Sequence, residues 1–195
     1  MPDWLSIRSN SVKEAILNDA IDDYREWFGK WLNVIKFSDS NSYYLTISGQ
    51  KLLELSQALL DNDYKISQYL VWVKNNHVLG RQDYANRHEL IIYGWKGKHD
   101  FYGDFQTTVI EVDKPLKNPL HPTMKPIELL VRFIKNNSKQ EMLVYDCFLG
   151  SGSTLIACES TNRVCYGMEL DPFYVDVIIQ RWENYTGKKA QKITS

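Results

Sequence analysis

The stretch MLVYDCFLGSGSTLIACE, residues 142–159, constrains this chain more than any other. A short apolar run enters a tight turn, Gly150-Ser151-Gly152-Ser153-Thr154, and the turn opens into a helical pattern. In open α/β sheets, the crevice at the carboxyl end of such a strand is where nucleotide-like ligands sit. Two glycines let backbone amides approach a ligand without interference from a Cβ, and the helix amino end favours a carboxylate or phosphate. No Gly-Lys pair precedes Ser153 or Thr154, so the turn is not a Walker phosphate cradle, which argues against an NTPase.

The run VCYGMEL at 164–170 follows, and its Glu169 lies 169 − 150 = 19 residues beyond the first glycine of the turn. A carboxylate about 20 residues on is where ribose hydroxyls are bound in such folds. Asp146, just before the turn, suits a cationic group such as the ammonium or sulfonium of S-adenosylmethionine. This pattern alone leaves both NAD and S-adenosylmethionine open.

Around the turn the chain alternates strands with helices. Helices are predicted over 126–136, 153–161 and 172–186, with strands at 142–146 and 164–169. Upstream, Trp27, Trp31, Val34 and Ile35 recur at helical spacing within 21–37, and Asp22 and Asp23 suit the helix amino end. A strand at 42–47, a helix over 50–61 and strands at 68–74 and 88–96 come next, then a loop region at 97–122 in which only TTVIEV looks regular. The alternation predicts an α/β fold with a mostly parallel sheet and helices on both faces. A length of 195 residues with 44% hydrophobic content supports one core, so a single domain is expected over 1–195.

Lysine and arginine total 23 against 24 acidic residues, so any nucleic-acid surface must be local. No stretch approaches a membrane span and no signal peptide is visible, from which a cytoplasmic protein is expected. Cys147, Cys158 and Cys165 lack metal or redox spacing and read as packed thiols, and the scattered histidines support no metal site. Trp27, Trp31, Trp72 and Trp182 are expected in the core.

Three segments together resemble the β-group DNA amino-methyltransferases, the N-4/N-6 DNA methylases, whose motif order is permuted relative to other methyltransferases. HPTMKP at 121–126 looks like motif X, DCFLGSGST at 146–154 like motif I, and MELDPFYVD at 168–176 like motif II with its following helix. WVKNNHVLGRQDYANRHELIIYGWK at 72–96 is similar to the region before motif X in phage and prophage members. The resemblance implies a Rossmann-like S-adenosylmethionine-dependent fold, encoded by a bacterium or phage, in the setting of restriction-modification. It implies a catalytic-side half over 1–96, a DNA-contacting loop over 97–120 and a cofactor half over 121–195. It also implies that Thr123, Lys125, Pro126, Asp146, Phe148, Gly150, Ser151, Gly152, Ser153, Thr154, Glu169 and Asp171 bind the cofactor. Double-stranded DNA is the implied substrate, with adenine N6 or cytosine N4 as acceptor, and a homodimer is compatible.

An exocyclic amine is a poor nucleophile because its lone pair is delocalised into the base. The family's motif IV, Asp/Asn/Ser-Pro-Pro-aromatic, orients that amine by accepting its hydrogen bonds and stacks on the flipped base. Here its place reads Met1-Pro2-Asp3-Trp4, so Pro2, Asp3 and Trp4 are the candidate catalytic residues. Pro2 and Trp4 fit, whereas Met1 replaces the polar acceptor and Asp3 the second proline. The departure makes an inactive or incomplete cofactor-binding subunit the alternative. In the family an apolar strand leads into this motif, and the expectation is a truncated frame, a fragment, or a subunit completed by a second chain. Lys96, Lys98, Lys114 and Lys117, with Phe101, Tyr102 and Phe105 nearby, are the candidate DNA contacts.

Overall fold

The computed structural model describes residues 21, 23–76, 83–114 and 124–193. Pro2, Asp3, Trp4, Lys117 and Thr123 lie outside the described residues.

The elements follow the sequence pattern closely. Helix α1 (Tyr24–Val34) starts where the Asp23 side chain accepts from the Glu26 amide at 2.9 Å, and it buries Phe28 and Leu32, four residues apart. Strand β1 (Tyr43–Ile47) and a 3-10 turn (Gly49–Lys51) lead into α2 (Leu52–Asp61). Strands β2 (Lys65–Val73) and β3 (His88–Trp95) come next. In the loop region only β4 (Val109–Glu111) is regular. Beyond it lie α3 (Ile127–Asn137), β5 (Leu143–Asp146), α4 (Ser153–Thr161), β6 (Val164–Gly167) and α5 (Pro172–Thr186).

Four strands pair in the order β1-β3-β2-β4. β3 runs antiparallel to both β1 and β2, and β4 runs parallel to β2, so β1, β2 and β4 share one direction. Gly94 is obligatory between β1 and β2: a Cβ there would lie 1.9 Å from the Lys65 carbonyl oxygen and 2.5 Å from the Tyr43 hydroxyl. Successive β3 residues face opposite ways, as the pleat requires. Ile91, Tyr93 and Trp95 meet Leu70, Trp72, Ile110 and the α3 residues Leu129 and Phe133, while Ile92 meets Phe28, Leu32, Leu55 and Leu59 of α1 and α2. The four-stranded sheet is thus covered on both faces.

β5 and β6 form a separate parallel pair, and among the described residues no strand joins it to the larger sheet. α3 connects them instead. Leu129 and Phe133 pack on the larger sheet, whereas Ile134, Ile127, Leu130 and Val131 meet Ala157 and Cys158 of α4 with Val144 and Cys165 of the strand pair. At its end, Asn137 donates to the Ser42 hydroxyl, the Tyr93 hydroxyl and the Asp100 carbonyl at 3.0, 3.2 and 2.8 Å. α3 therefore runs from the carboxyl edge of β2 to the amino edge of β1, and β5 returns alongside it. No helix among the described residues is long and apolar enough to cross a membrane.

Candidate functional site

β5 delivers Asp146 and β6 leads to Glu169, on neighbouring strand tips. The ladder that joins them continues past the strands: Met168 N–H donates to the Asp146 carbonyl at 2.9 Å and Leu149 N–H to the Met168 carbonyl at 2.9 Å. Each carboxylate shapes its own loop. Asp146 Oδ1 accepts from the Phe148 amide at 2.9 Å, and its Oδ2 accepts from the Thr154 hydroxyl at 2.6 Å. Glu169 Oε2 accepts from the Gly150 amide at 2.8 Å and Oε1 from the Asp171 amide at 2.9 Å. Glu169 thus ties the two loops together. A carboxylate has about four acceptor positions, so each of these oxygens retains capacity for a further donor.

The turn needs its glycines. Gly150 and Gly152 have φ of 56° and 80°, the left-handed region that costs other residues strain, and a Cβ on Gly152 would lie 3.2 Å from Ile178 of α5. Gly152 caps α4 with no side-chain cap, so the first-turn amides of that helix point out of its end without intrahelical acceptors. Asp171 caps α5, accepting from the Phe173 amide at 2.9 Å, with Pro172 next in line.

Of the residues singled out from the sequence, Asp146, Phe148, Gly150, Gly152, Thr154, Glu169 and Asp171 come together around this crevice. Ser151 and Ser153 are buried behind it, only 4% and 6% exposed. Arg181 of α5 holds them there, donating through Nη1 to the Ser151 carbonyl at 2.9 Å and the Ser153 hydroxyl at 3.2 Å. The same nitrogen lies 3.2 Å from the Met124 sulfur, which brings the residues just before α3 against the turn. Pro126 is buried at the start of α3, and the Lys125 ammonium pairs with Glu89 of β3 at 2.9 Å.

Sequence reasoning missed Arg181, because its role exists only once α5 folds back over a turn 30 residues away. Trp27 and Trp31, expected in the core, pack against the core cluster formed by α1 and α2. Both are half-buried and reach the crevice: their rings lie 6.0 and 5.5 Å from that of Phe148, which is itself 56% exposed. α1 thereby supplies an aromatic wall beside the glycine turn. Burial, then the neighbouring Asp146 charge, pushes the Cys147 thiol up to about 11, which disfavours the thiolate form. Among the described residues, no three histidine, cysteine or acidic side chains converge as a metal site.

The basic residues divide between two edges of the sheet. Lys96 and Lys98 follow β3 at the amino edge of β1 and β2, where Lys96 Nζ donates to the Asn62 carbonyl at 2.8 Å and lies 4.9 Å from the centre of the Tyr64 ring. Lys98 pairs through its backbone, accepting from the Asn41 amide at 3.1 Å. Lys114 lies at the opposite, carboxyl edge, its amide donating to the Asn75 side chain at 3.0 Å. That is the edge to which β5 brings Asp146. At roughly 3.3 Å per residue, the nine residues of β2 put about 25 Å between the two edges.

Comparison with known proteins gives a consistent result. Residues 8–181 match a family model described as DNA methylase, of the N6/N4 methyltransferase kind. The Type II methyltransferase M2.MboI of Moraxella bovis is 24% identical over 181 residues, covering 83% of this chain and 65% of that protein. Two other curated relatives are spanned over only 40% and 52% of their length. Among solved structures, the M1.HpyAVI-SAM complex superposes with a TM-score of 0.68 at 21% identity, covering 81% of each chain. The cytosine-N4-specific PvuII DNA methyltransferase gives 0.72 at 15% identity, over 89% of this chain and 76% of the other. These likenesses establish a Rossmann-like α/β methyltransferase fold.

Proposed function

This chain belongs to the DNA methylase family of N6 and N4 enzymes, and from that premise we propose that it moves a methyl group from S-adenosylmethionine to an exocyclic base amine in double-stranded DNA. One observation carries the reading: Asp146 and Glu169 stand on adjacent strand tips, with Glu169 bonded to the glycine turn itself.

The donor set fits the cofactor's chemistry. Carboxylate oxygens on the two tips suit an ammonium and a pair of ribose hydroxyls, both of which donate. The open amides at the start of α4 suit the cofactor's carboxylate. A dinucleotide would bring its pyrophosphate to the same turn, where Asp146 already stands, so the carboxylate favours the cationic ligand over NAD. S-adenosylmethionine, when bound, supplies an electrophilic methyl. The residues of the chain hold and orient: Asp146 and Glu169 fix the ligand's two ends, Arg181 keeps Ser151 and Ser153 in place, and Phe148 with Trp27 and Trp31 keeps water from one side. Pro2, Asp3 and Trp4 are the proposed base-handling residues, with Trp4 stacking on the extruded base. The whole works as one domain, residues 1–96 serving the base and 121–195 the cofactor.

The test is a filter assay with methyl-labelled cofactor and duplex DNA of mixed sequence. Label transferred to DNA, and digested to N6-methyladenine or N4-methylcytosine, is the expected result. Cofactor binding without transfer would contradict catalysis by this chain.

A further inference from the structure

Behind the glycine turn, a single nitrogen of Arg181 meets two separate segments of the chain. Nη1 donates to the Ser151 carbonyl at 2.9 Å and to the Ser153 hydroxyl at 3.2 Å, and it lies 3.2 Å from the sulfur of Met124, just before α3. The Ser151 hydroxyl, at 3.5 Å, is a fourth and more distant contact. Every one of these acceptors is neutral. The guanidinium is half-buried, burial lowers its pKa, and among the described residues no carboxylate pairs with it.

Such an arrangement is a poor way to gain stability. Taking a cation out of water without an anion is costly, and a well-packed apolar side chain in its place is often neutral or stabilising. What the guanidinium secures is local. Gly152 N–H donates to the Leu149 carbonyl at 2.9 Å, and the carbonyl of the same peptide, that of Ser151, is the one Arg181 holds. The peptide between Ser151 and Gly152 is thus fixed at both ends. Gly150 and Gly152, at φ 56° and 80°, give this turn backbone freedom that side chains would restrict. α4 begins at Ser153, so a rotation of the held peptide would redirect the open amides at the helix start. With Arg181 in place, Ser151 and Ser153 stay buried behind the crevice in which Asp146 and Glu169 present their oxygens.

We infer that Arg181 is a positioning residue for cofactor binding: it holds the Ser151–Gly152 peptide and the start of α4 in the arrangement that receives S-adenosylmethionine, and it ties that turn to the segment before α3. It acts through the turn, without touching the ligand, by reducing the ordering that binding would otherwise require of a glycine-rich loop. The inference rests on the proposed cofactor crevice. Affinity for the cofactor, more than stability, is then what the guanidinium contributes.

The test is equilibrium dialysis with labelled S-adenosylmethionine, alongside melting temperatures, for the protein and for R181M, R181K, S153A and V177A. R181M keeps an apolar stem and loses the donors. It is expected to bind about tenfold more weakly, the scale of one charge-assisted hydrogen bond, and to melt within about 3 °C of the unaltered protein. R181K, whose ammonium can donate to the Ser151 carbonyl, is expected to recover most of the affinity. V177A thins the packing of α5, Val177 being 3% exposed, and is expected to melt lower yet bind the cofactor as the unaltered protein does. S153A removes one acceptor and leaves α5 intact; binding about threefold weaker is expected, with no further loss when the change is added to R181M. Unchanged affinity in folded R181M overturns the inference, and so does a loss that V177A shares or that R181K fails to recover. If R181M does not fold, S153A decides, and unchanged affinity there overturns it. Absence of cofactor binding by the unaltered protein sinks the crevice itself, whereas binding indifferent to Arg181 sinks only the role given to this residue.

Discussion

The four-stranded sheet and the β5–β6 pair bury their apolar residues very differently. In the first, β3 is flanked by strands on both sides and by helices on both faces, and Trp72, Ile91, Ile92 and Leu129 are fully buried. In the second, only the face bearing Val144 and Cys165 meets α3 and α4. The other face presents two register pairs, Leu143 with Val164 and Tyr145 with Tyr166, exposed by 56%, 46%, 45% and 62% respectively among the described residues. A two-stranded unit is marginal unless something packs on it. The larger sheet therefore serves as the scaffold, and the pair whose tips lead to Asp146 and Glu169 depends on α3 for its position.

The comparison makes unequal substitutions predictable. The largest effect is expected from Trp72→Ala, which empties the middle of the scaffold and removes the indole hydrogen bond to the Val112 carbonyl at 2.8 Å. A loss of about 3–5 kcal/mol is expected by denaturant unfolding, with the β5–β6 pair destabilised alongside because α3 packs on both. If β5 and β6 kept their hydrogen-exchange protection while the larger sheet unfolded, the dependence on the scaffold would be refuted. Glu89→Gln is next, at about 2 kcal/mol, since it leaves two largely buried ammoniums without their shared anion.

That second effect carries a pH signature. Burial would raise the Glu89 pKa, but Lys125 and then Lys74 pull it below the ordinary glutamate value. A depressed carboxylate contributes stability that is complete above its unfolded value and lost as pH falls through its folded one. Melting curves of the protein and of Glu89→Gln should therefore differ at neutral pH and converge below the ordinary carboxylate range. A difference that persisted there would mean the charge of Glu89 is not what stabilises the edge. The smallest effect is expected at the exposed face: Tyr166→Ser should change stability by no more than about 0.5 kcal/mol. A loss several times larger would show that something in the chain covers that face.

Much of this was legible from local pattern. Every predicted helix and strand appears with shifts of a few residues, because alternation and helical spacing are local properties, and the glycine turn fell between β5 and α4 as its sequence required. The convergence of Asp146 and Glu169 followed from the same regularity, since parallel neighbours end at one edge. What stayed hidden was tertiary. Nothing in α5 marks Arg181 as the clasp behind Ser151, and nothing near Lys74 announces that Glu89 and Lys125 will close on it from β3 and the start of α3. The lysines chosen as DNA contacts were neighbours in sequence, yet the structure puts Lys96 and Lys98 at one edge and Lys114 at the other, because β4 and its flanking loop cross the length of β2 between them.

The central claim is that the tips of β5 and β6 hold S-adenosylmethionine between Asp146 and Glu169. Calorimetric titration of the cofactor into the protein, and into Asp146→Ala and Glu169→Ala, tests it directly. The account predicts saturable one-to-one binding that weakens at least tenfold in each variant, about 1.4 kcal/mol or more, with the folded state retained by circular dichroism. Equal affinity in all three proteins would contradict it.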